Sequence, residues 1–323
     1  MAGKSTFLRG SDMLRWVWKR SLILGLALML GGCTPAPQPE IVSKPTPRQI
    51  QYVGEINGRL GSARLSAPVA ITFDQSNNLY IVDQGNNRIV KIGPDYKFLS
   101  ENGGFGLGLN GLSRPCDIAS DGGINFFILD QGNSRIIRSD YDLVFADEIR
   151  FNSNADLQAL GKIAAIGYAR TGRMYLVDPD NLKVIVLDND HKIEQELFPA
   201  GGFSRCGAIT VTNDGDVFVY DRGDNSLNKF DTFGNSGDRI VLDGAEAIGG
   251  FAIHGHEIVA TDKVRNEIVM FDWSGAHVAM FGSIGSGTQN LNAPTGLAWR
   301  ADGKLFVCDT GNNRIMIYEL AAK

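Results

Sequence analysis

Leu79 to Ile92 reads LYIVDQGNNRIVKI, and Leu305 to Tyr318 reads LFVCDTGNNRIMIY. Each stretch is an apolar run, a cluster of Asp, Gly and Asn, and a second apolar run. β-Branched and aromatic residues suit extended backbone. Asp and Asn side chains bond nearby backbone groups, and Gly and Asn tolerate positive φ, so the cluster is a turn. Each stretch therefore predicts two short strands around a tight corner. Near-identical corners 226 residues apart call for a search for copies between them.

Aligned on the turn Asp, the pattern occurs six times, at Asp83, Asp130, Asp178, Asp221, Asp262 and Asp309, with spacings of 47, 48, 43, 41 and 47 residues. The corners read DQGNNRI, DQGNSRI, DPDNLKV, DRGDNSL, DKVRNEI and DTGNNRI. A further hairpin precedes each corner, as in Pro68 to Phe73 followed by Asp74-Gln75-Ser76-Asn77-Asn78, and Pro294 to Trp299 followed by Ala301-Asp302-Gly303. A weaker fourth strand follows, such as Phe98-Leu99-Ser100 or His277 to Phe281. Four strands per unit and a period in the mid-forties predict an all-β fold, a six-bladed propeller of four-stranded antiparallel blades. Residues 154 to 165 are the one candidate helix, and are read instead as a loop leading into an inner strand. The sixth repeat ends after three strands. Gln49 to Ile56, QIQYVGEI, predicts the missing outer strand, which would pair with Ile315 to Tyr318 and close the ring. Residues 49 to 320 then form one domain.

The combination P-x-[GA]-[IL], strand, turn, and D-x-G-N-x-R-I resembles the NHL repeat. The resemblance covers residues 49 to 320 and implies the propeller fold. It leaves activity open, because NHL propellers include scaffolds, RNA binders, sugar or peptide binders and an amidating lyase. The lyase uses several His near its channel, and three matching positions are missing here.

The recurring acid and base look at first like a catalytic set. Asp83, Asp130 and Asp309 with Arg88, Arg135 and Arg314 recur by repeat position, however, which puts them on separate blades. The expected role is structural: carboxylate to turn N–H, and Arg to a local or neighbouring partner. Lys183, Ser226 and Glu267 stand at the Arg position elsewhere. His254-Gly255-His256 has spacing that offers two imidazoles to a metal, but it sits at a hairpin corner where other repeats carry Asp-Gly. Metal-dependent propellers of the lactonase type use Glu, Asn and Asp on the inner strands. Here Asp117 is the one carboxylate at the starts of those strands, and a calcium cage needs about six oxygens. Asp117, His254 and His256 are thus the metal candidates. No cofactor is assigned; a structural calcium or other divalent ion in the channel, completed by backbone carbonyls, stays open. The face where the inner strands begin is the expected ligand face, with Arg114, Asp117 and Arg205 and the exposed-looking Phe105 and Phe203. The alternative is that these residues only pack blades together.

Residues 1 to 33 are an address. Arg15, Lys19 and Arg20 precede an apolar run, Leu22 to Leu30, too short to span a bilayer and suited to a signal-peptide core. It ends in Leu30-Gly31-Gly32-Cys33, which resembles the lipobox of bacterial lipoproteins. The resemblance implies cleavage after residue 32 and lipidation of Cys33, acyl chains including palmitate among the anchors. The alternative is a conventional secretory peptide with an incidental Cys. Met13 is an alternative start to Met1. Thr34 rather than Asp after the Cys implies outer-membrane delivery. Residues 34 to 48 hold five of the eleven prolines of the chain and predict an extended tether, reaching roughly 45 Å at about 3.1 Å per residue; with Cys33 this makes residues 33 to 48 an anchor segment.

Residues 1 to 32 carry five basic groups and one acidic group; the remainder has 26 Lys and Arg against 35 Asp and Glu, a formal charge of −9. That opposes a general nucleic-acid or anionic-membrane surface, though it permits a local basic patch. Cys116, Cys206 and Cys308 remain after Cys33. Cys308, in a strand, is expected to be buried as a small hydrophobe. Cys116 and Cys206 start equivalent strands, so a disulfide or shared metal between them is conceivable. The expectation is a lipid-anchored, non-enzymatic envelope propeller whose partners are other envelope proteins. A metal-dependent hydrolase or lyase and a carbohydrate or peptidoglycan binder are the alternatives.

Overall fold

The computed structural model describes residues 49–153, 156–255 and 257–320. The signal segment 1–32, Cys33, the tether 33–48 and His256 lie outside the described residues.

Six four-stranded antiparallel sheets follow one another around a ring. Blade 1 runs through Pro68–Phe73, Leu79–Asp83, Arg88–Ile92 and Phe98–Gly103, from the innermost strand outward. The inner strands of blades 2 to 6 are Pro115–Ser120, Ala165–Tyr168, Cys206–Val211, Ile248–His254 and Leu297–Trp299. Each inner strand begins on the face that carries the Asp corner, called here the turn face. It ends at the first hairpin, on the hairpin face. The segment 156–159 is turn rather than helix, as the sequence predicts, and leads to the inner strand of blade 3.

Blade 6 supplies three strands, and Ile50–Ile56 supplies the fourth. It pairs antiparallel with Arg314–Leu320 in the register Tyr52↔Tyr318 and Ile56↔Ile315, with a bulge between Tyr52 and Gly54. The first strand of the domain thus closes the ring on the last.

No single core fills the molecule. Six apolar clusters lie one to a seam, including the seam of blade 6 with blade 1, where Phe306, Cys308, Ile315 and Ile317 meet Ile71, Ile81, Val90 and Ile92. Both faces of each middle strand are therefore covered. This explains why LYIVD and RIVKI read as almost unbroken apolar runs and are buried at every position.

The corners repeat in atomic detail. All six turn Asp residues are buried. Each accepts a backbone N–H from the segment that leads into its own inner strand, from Ser66, Ser113, Gly161, Ser204, Glu246 and Asn292, at 2.6–2.9 Å. The fourth residue after the Asp is left-handed in every blade: Asn87, Ser134, Leu182, Asn225, Asn266 and Asn313 have φ of 50–60°. Asn is favoured there because it tolerates that backbone. In blades 1, 2 and 6 the Arg Nε donates to the turn Asp, at 2.7–2.8 Å. Its Nη1 reaches a Glu of the outer strand: Glu101, Glu148 or Glu55. Its guanidinium also binds carbonyls of the link loop, such as Gly108 and Gly111 for Arg135. The D-x-G-N-x-R set is a clamp, as the repeat argument predicts.

Near the axis, blades 5, 6 and 1 touch backbone to backbone. Gly296 N–H donates to Val69 O at 2.9 Å, and Thr295 Oγ1 donates to the same carbonyl. A Cβ on Gly296 would sit 2.6 Å from Val69 O, whereas one on Gly207 of blade 4 would meet nothing closer than 4.0 Å. Gly296→Ala should therefore destabilise by about 1–3 kcal/mol through overpacking. Gly207→Ala should stay within about 0.5 kcal/mol of wild type. Denaturant midpoints of the two variants compare them directly.

Candidate functional site

The axial channel opens on the turn face as a funnel of about 610 Å³. Its wall is mostly the first residues of the inner strands, among them Ala70, Cys116, Asp117, Ala165, Gly207, Gly249, Gly250 and Gly296. Small side chains keep this wall close and leave room at the axis. Its rim carries Asp180, Arg205, Arg222 and Lys263.

The rim is set by the residue that follows each turn Asp. In blade 1, Gln84 Nε2 donates to Pro115 O of blade 2 at 3.1 Å; in blade 2, Gln131 donates to Ile163 O ahead of blade 3 at 2.9 Å. In blade 6, Thr310 Oγ1 donates to Pro68 O of blade 1 at 2.8 Å. These three side chains stitch one blade to the next. Blade 3 has Pro179 there, and blades 4 and 5 have Arg222 and Lys263. Among the described residues, neither of these two cations makes a side-chain hydrogen bond or ion pair, and the same holds for Arg205. Arg222 N–H donates to Arg205 O at 3.0 Å, which fixes the two arginines side by side. Asp221 holds the pair in place by accepting the N–H groups of Ser204 and Arg205. Partial withdrawal from water, then the charges of Arg222 and Arg205, lower the Lys263 ammonium below its usual range.

Of the residues singled out from sequence, Asp117 and Arg205 come together in this funnel. Arg114 is exposed on the turn face beside it, and its backbone N–H donates to Asn87 Oδ1 at 2.7 Å. Phe105 is 80% exposed on the link loop between blades 1 and 2, out on the rim of the same face and not in the funnel. Phe203 corrects the expectation of exposure. It is 6% exposed and packs in the seam of blades 3 and 4, its ring 6.2 Å from that of Phe230. The apolar seam claims it because the preceding Gly201 and Gly202, both at positive φ, turn the chain inward.

Asp117 staples two blades. Its carboxylate accepts the N–H of Ile118 at 2.9 Å and that of Ile166, on blade 3, at 2.8 Å. Burial raises its pKa to about 7, against the pull of those two amides. A carboxyl raised in the folded state binds its proton more tightly than the unfolded chain does. Its contribution is fully present below about pH 4, the unfolded value, and is lost as pH rises through about 7. Asp117→Asn should flatten the fall in stability between those limits, removing a slope of at most roughly 1.4 kcal/mol per pH unit. Urea midpoints across the range read this slope independently of any constant cost of the substitution.

His254 lies at the other end of an inner strand, exposed on the hairpin face, its ring 4.6 Å from that of Trp299. Asp117 and His254 therefore do not share an ion. Among the described residues no group of three or more His, Cys, Asp or Glu converges. Cys116, Cys206 and Cys308 are free thiols, so the conceivable Cys116–Cys206 disulfide is not formed. Burial pushes the Cys206 thiol up to about 12, and raises those of Cys116 and Cys308, which keeps all three protonated. Cys308 is buried in the seam of blades 6 and 1, as expected. A second cavity, of about 1060 Å³, opens on the hairpin face between Trp273, Trp299, Asp214 and Arg239, and Thr210, Phe251 and Leu297 line both cavities.

No protein-family profile matches the chain, and no curated protein sequence matches it. Solved structures do resemble it. An auxiliary nutrient binding protein from Bacteroides thetaiotaomicron VPI-5482 aligns with a TM-score of 0.62 at 14% identity, over 85% of this chain and 77% of that one. A streptogramin B lyase aligns with a TM-score of 0.59 at 13% identity, over 85% and 98%. XC5397 from Xanthomonas campestris, described as a gluconolactonase, aligns with a TM-score of 0.59 at 16% identity, over 85% and 97%. At such identities the likeness is one of fold, and it agrees with the six-bladed propeller.

Proposed function

We propose that this chain is a lipid-anchored NHL-type propeller of the bacterial cell envelope that acts as a non-enzymatic binding module. Its turn face would be the working surface, and other envelope components its partners. The basic start, apolar core and Leu30-Gly31-Gly32-Cys33 support the anchor, and Thr34 supports the outer membrane. The recurring D-x-G-N-x-R-I supports the NHL assignment. The observation that carries the binding role is the funnel rim. The side chains of Arg205, Arg222 and Lys263 face one cavity and have no hydrogen-bond or ion-pair partner among the described residues, on a face that also exposes Phe105, Leu107 and Ile284. Unpaired groups gathered on one face of a rigid ring are what a ligand would use.

The test is affinity capture from solubilised envelopes with the full chain. A reproducible partner should be lost when Arg205, Arg222 and Lys263 are all changed to Gln, with thermal unfolding unaltered. Absence of any partner, or capture indifferent to the triple change, would count against the reading.

A second reading, acid–base chemistry in the channel, is favoured by one observation: a carboxyl with a pKa raised to about 7 lining a cavity. Neighbours described as a lyase and a gluconolactonase fit the same idea. Against it, both Asp117 oxygens are already occupied by amides of the blade seam. Elemental analysis of the purified chain discriminates. A stoichiometric calcium or zinc ion, lost in Asp117→Asn, would shift the balance towards metal-dependent chemistry.

A further inference from the structure

The funnel rim has a definite chemical character, and the binding reading above is the premise for what it takes. From its composition the chain is acidic, yet the residues around this one opening are not. The carboxylates that line the funnel are Asp117 and Asp180. Asp117 is committed to the amides of Ile118 and Ile166, and Asp180 accepts the Lys162 N–H at 2.8 Å. Against them stand Arg205, Arg222 and Lys263, with Arg114 and Lys162 exposed on the same face.

Position in the repeat makes this arrangement informative. Where blades 1, 2 and 6 place a neutral Gln or Thr that bonds the next blade, blades 4 and 5 place Arg222 and Lys263. The seams of those blades forgo the stitch, and two cations point into the funnel instead. Like charges held beside one another repel, and water only partly screens them in a concave site. Burial lowers the Lys263 ammonium most, and the charges of Arg222 and Arg205 lower it further against the opposing pull of Asp262. A bound anion would relieve the repulsion. Guanidinium groups offer planar pairs of N–H donors matched to carboxylate and phosphate oxygens, and an ammonium adds a point charge. Gly207, Gly249 and Gly250 leave the adjoining wall free of side chains, so a ligand can reach the axis.

We infer that the funnel binds a ligand group carrying two or more negative charges, a phosphate or paired carboxylates, held between Arg205, Arg222 and Lys263. One charge would leave two of the three cations unmet, so acetate should bind poorly.

Isothermal titration of the full chain in detergent with pyrophosphate, citrate and acetate tests this and separates phosphate from carboxylate preference. Pyrophosphate or citrate should bind at low salt, at least about tenfold more tightly than acetate, and weaken as ionic strength rises. Lys263→Gln should reduce affinity about tenfold, and the triple Gln variant should abolish detectable binding. Lys97→Gln removes the same charge from an exposed hairpin on the opposite face and should change nothing. Unaltered thermal unfolding of the triple variant shows that the loss is not one of folding. Failure of both polyanions to bind wild type, or equal binding by the triple variant, overturns the inference. If the anions fail while envelope capture still depends on the three side chains, this inference falls and the binding reading stands.

Discussion

Deleting Ile50–Ile56 from the full chain should abolish cooperative unfolding of the propeller. Among the described residues, that strand is the only partner of the outer edge of Arg314–Leu320. Without it, the outward N–H and C=O groups of alternate residues along this strand are left unpaired, beside apolar Met316, Ile317 and Tyr318. Ile50 and Ile56, both buried, leave the clusters on the two sides of blade 6. Glu55 leaves as well, so the buried Arg314 loses the carboxylate that it meets at 2.8 Å. The expected product unfolds over a broad range of denaturant and associates as concentration rises, because an open edge pairs with other edges. A synthetic peptide of residues 49–57 added in trans should restore the sharp transition by strand addition. Analytical ultracentrifugation and denaturation curves, with and without the peptide, read both effects. A monomeric deletion variant with a wild-type transition would mean that the ring does not depend on this closure.

Asp130→Ala should cost about 3–5 kcal/mol, the range for breaking a buried ion pair from one side. Asp130 and Arg135 are both completely buried, joined at 2.8 Å. Removing the carboxylate leaves the buried guanidinium with the partly exposed Glu148 as its remaining charged partner, and it also releases the N–H of Ser113 and the amide of Asn133. Asp178→Ala in blade 3 is the natural comparison. There Lys183 pairs with Glu196 and is partly exposed, so no buried cation is left behind. Only the bonds to Gly161, Asn181 and their surroundings are lost, at about 1–3 kcal/mol. The double variant Asp130→Ala/Arg135→Met should recover part of the loss, since it removes the fully buried pair while Glu148, partly exposed, keeps Arg150 as a partner. Urea midpoints of the four proteins measure this. A double variant no more stable than Asp130→Ala would show that the pair is not the source of the cost.

The sequence carries the fold because the fold is a repetition. A corner that recurs six times is legible even where single copies are poor, as DKVRNEI is in blade 5. The closing strand could be read too, from a strand missing at one end and spare at the other; its register and the bulge between Tyr52 and Gly54 could not. The clamp role of Asp83, Asp130 and Asp309 followed from the same repetition. The funnel was legible only in part. Arg205 and Asp117 stood out as charges at the starts of inner strands, but Arg222 and Lys263 were overlooked. They occupy the variable position of D-x-G-N, which a motif reading skips. A column of that position, Gln, Gln, Pro, Arg, Lys, Thr, holds the signal. Its meaning appears once the Gln and Thr side chains are seen to stitch the seams. Phe203 misled because an aromatic beside two glycines in a link looks exposed in one dimension. The ring in fact turns into a seam built by residues of another blade. Nor could the sequence place Trp273, packed against Phe218 in the seam of blades 4 and 5, and Trp299, in the seam of blades 5 and 6, at one cavity.

The proposed binding role puts the ligand at the turn face, at the mouth of the channel. The most direct measurement is photocrosslinking in intact cells, with a photoreactive amino acid placed at Asp180 on the funnel rim or at Asp214 beside the hairpin-face cavity. Both positions are exposed. A discrete adduct should form from position 180 and disappear in the triple Gln background, and none should form from position 214. An adduct from 214 alone, or one from 180 that persists without the three cations, would contradict the proposed role.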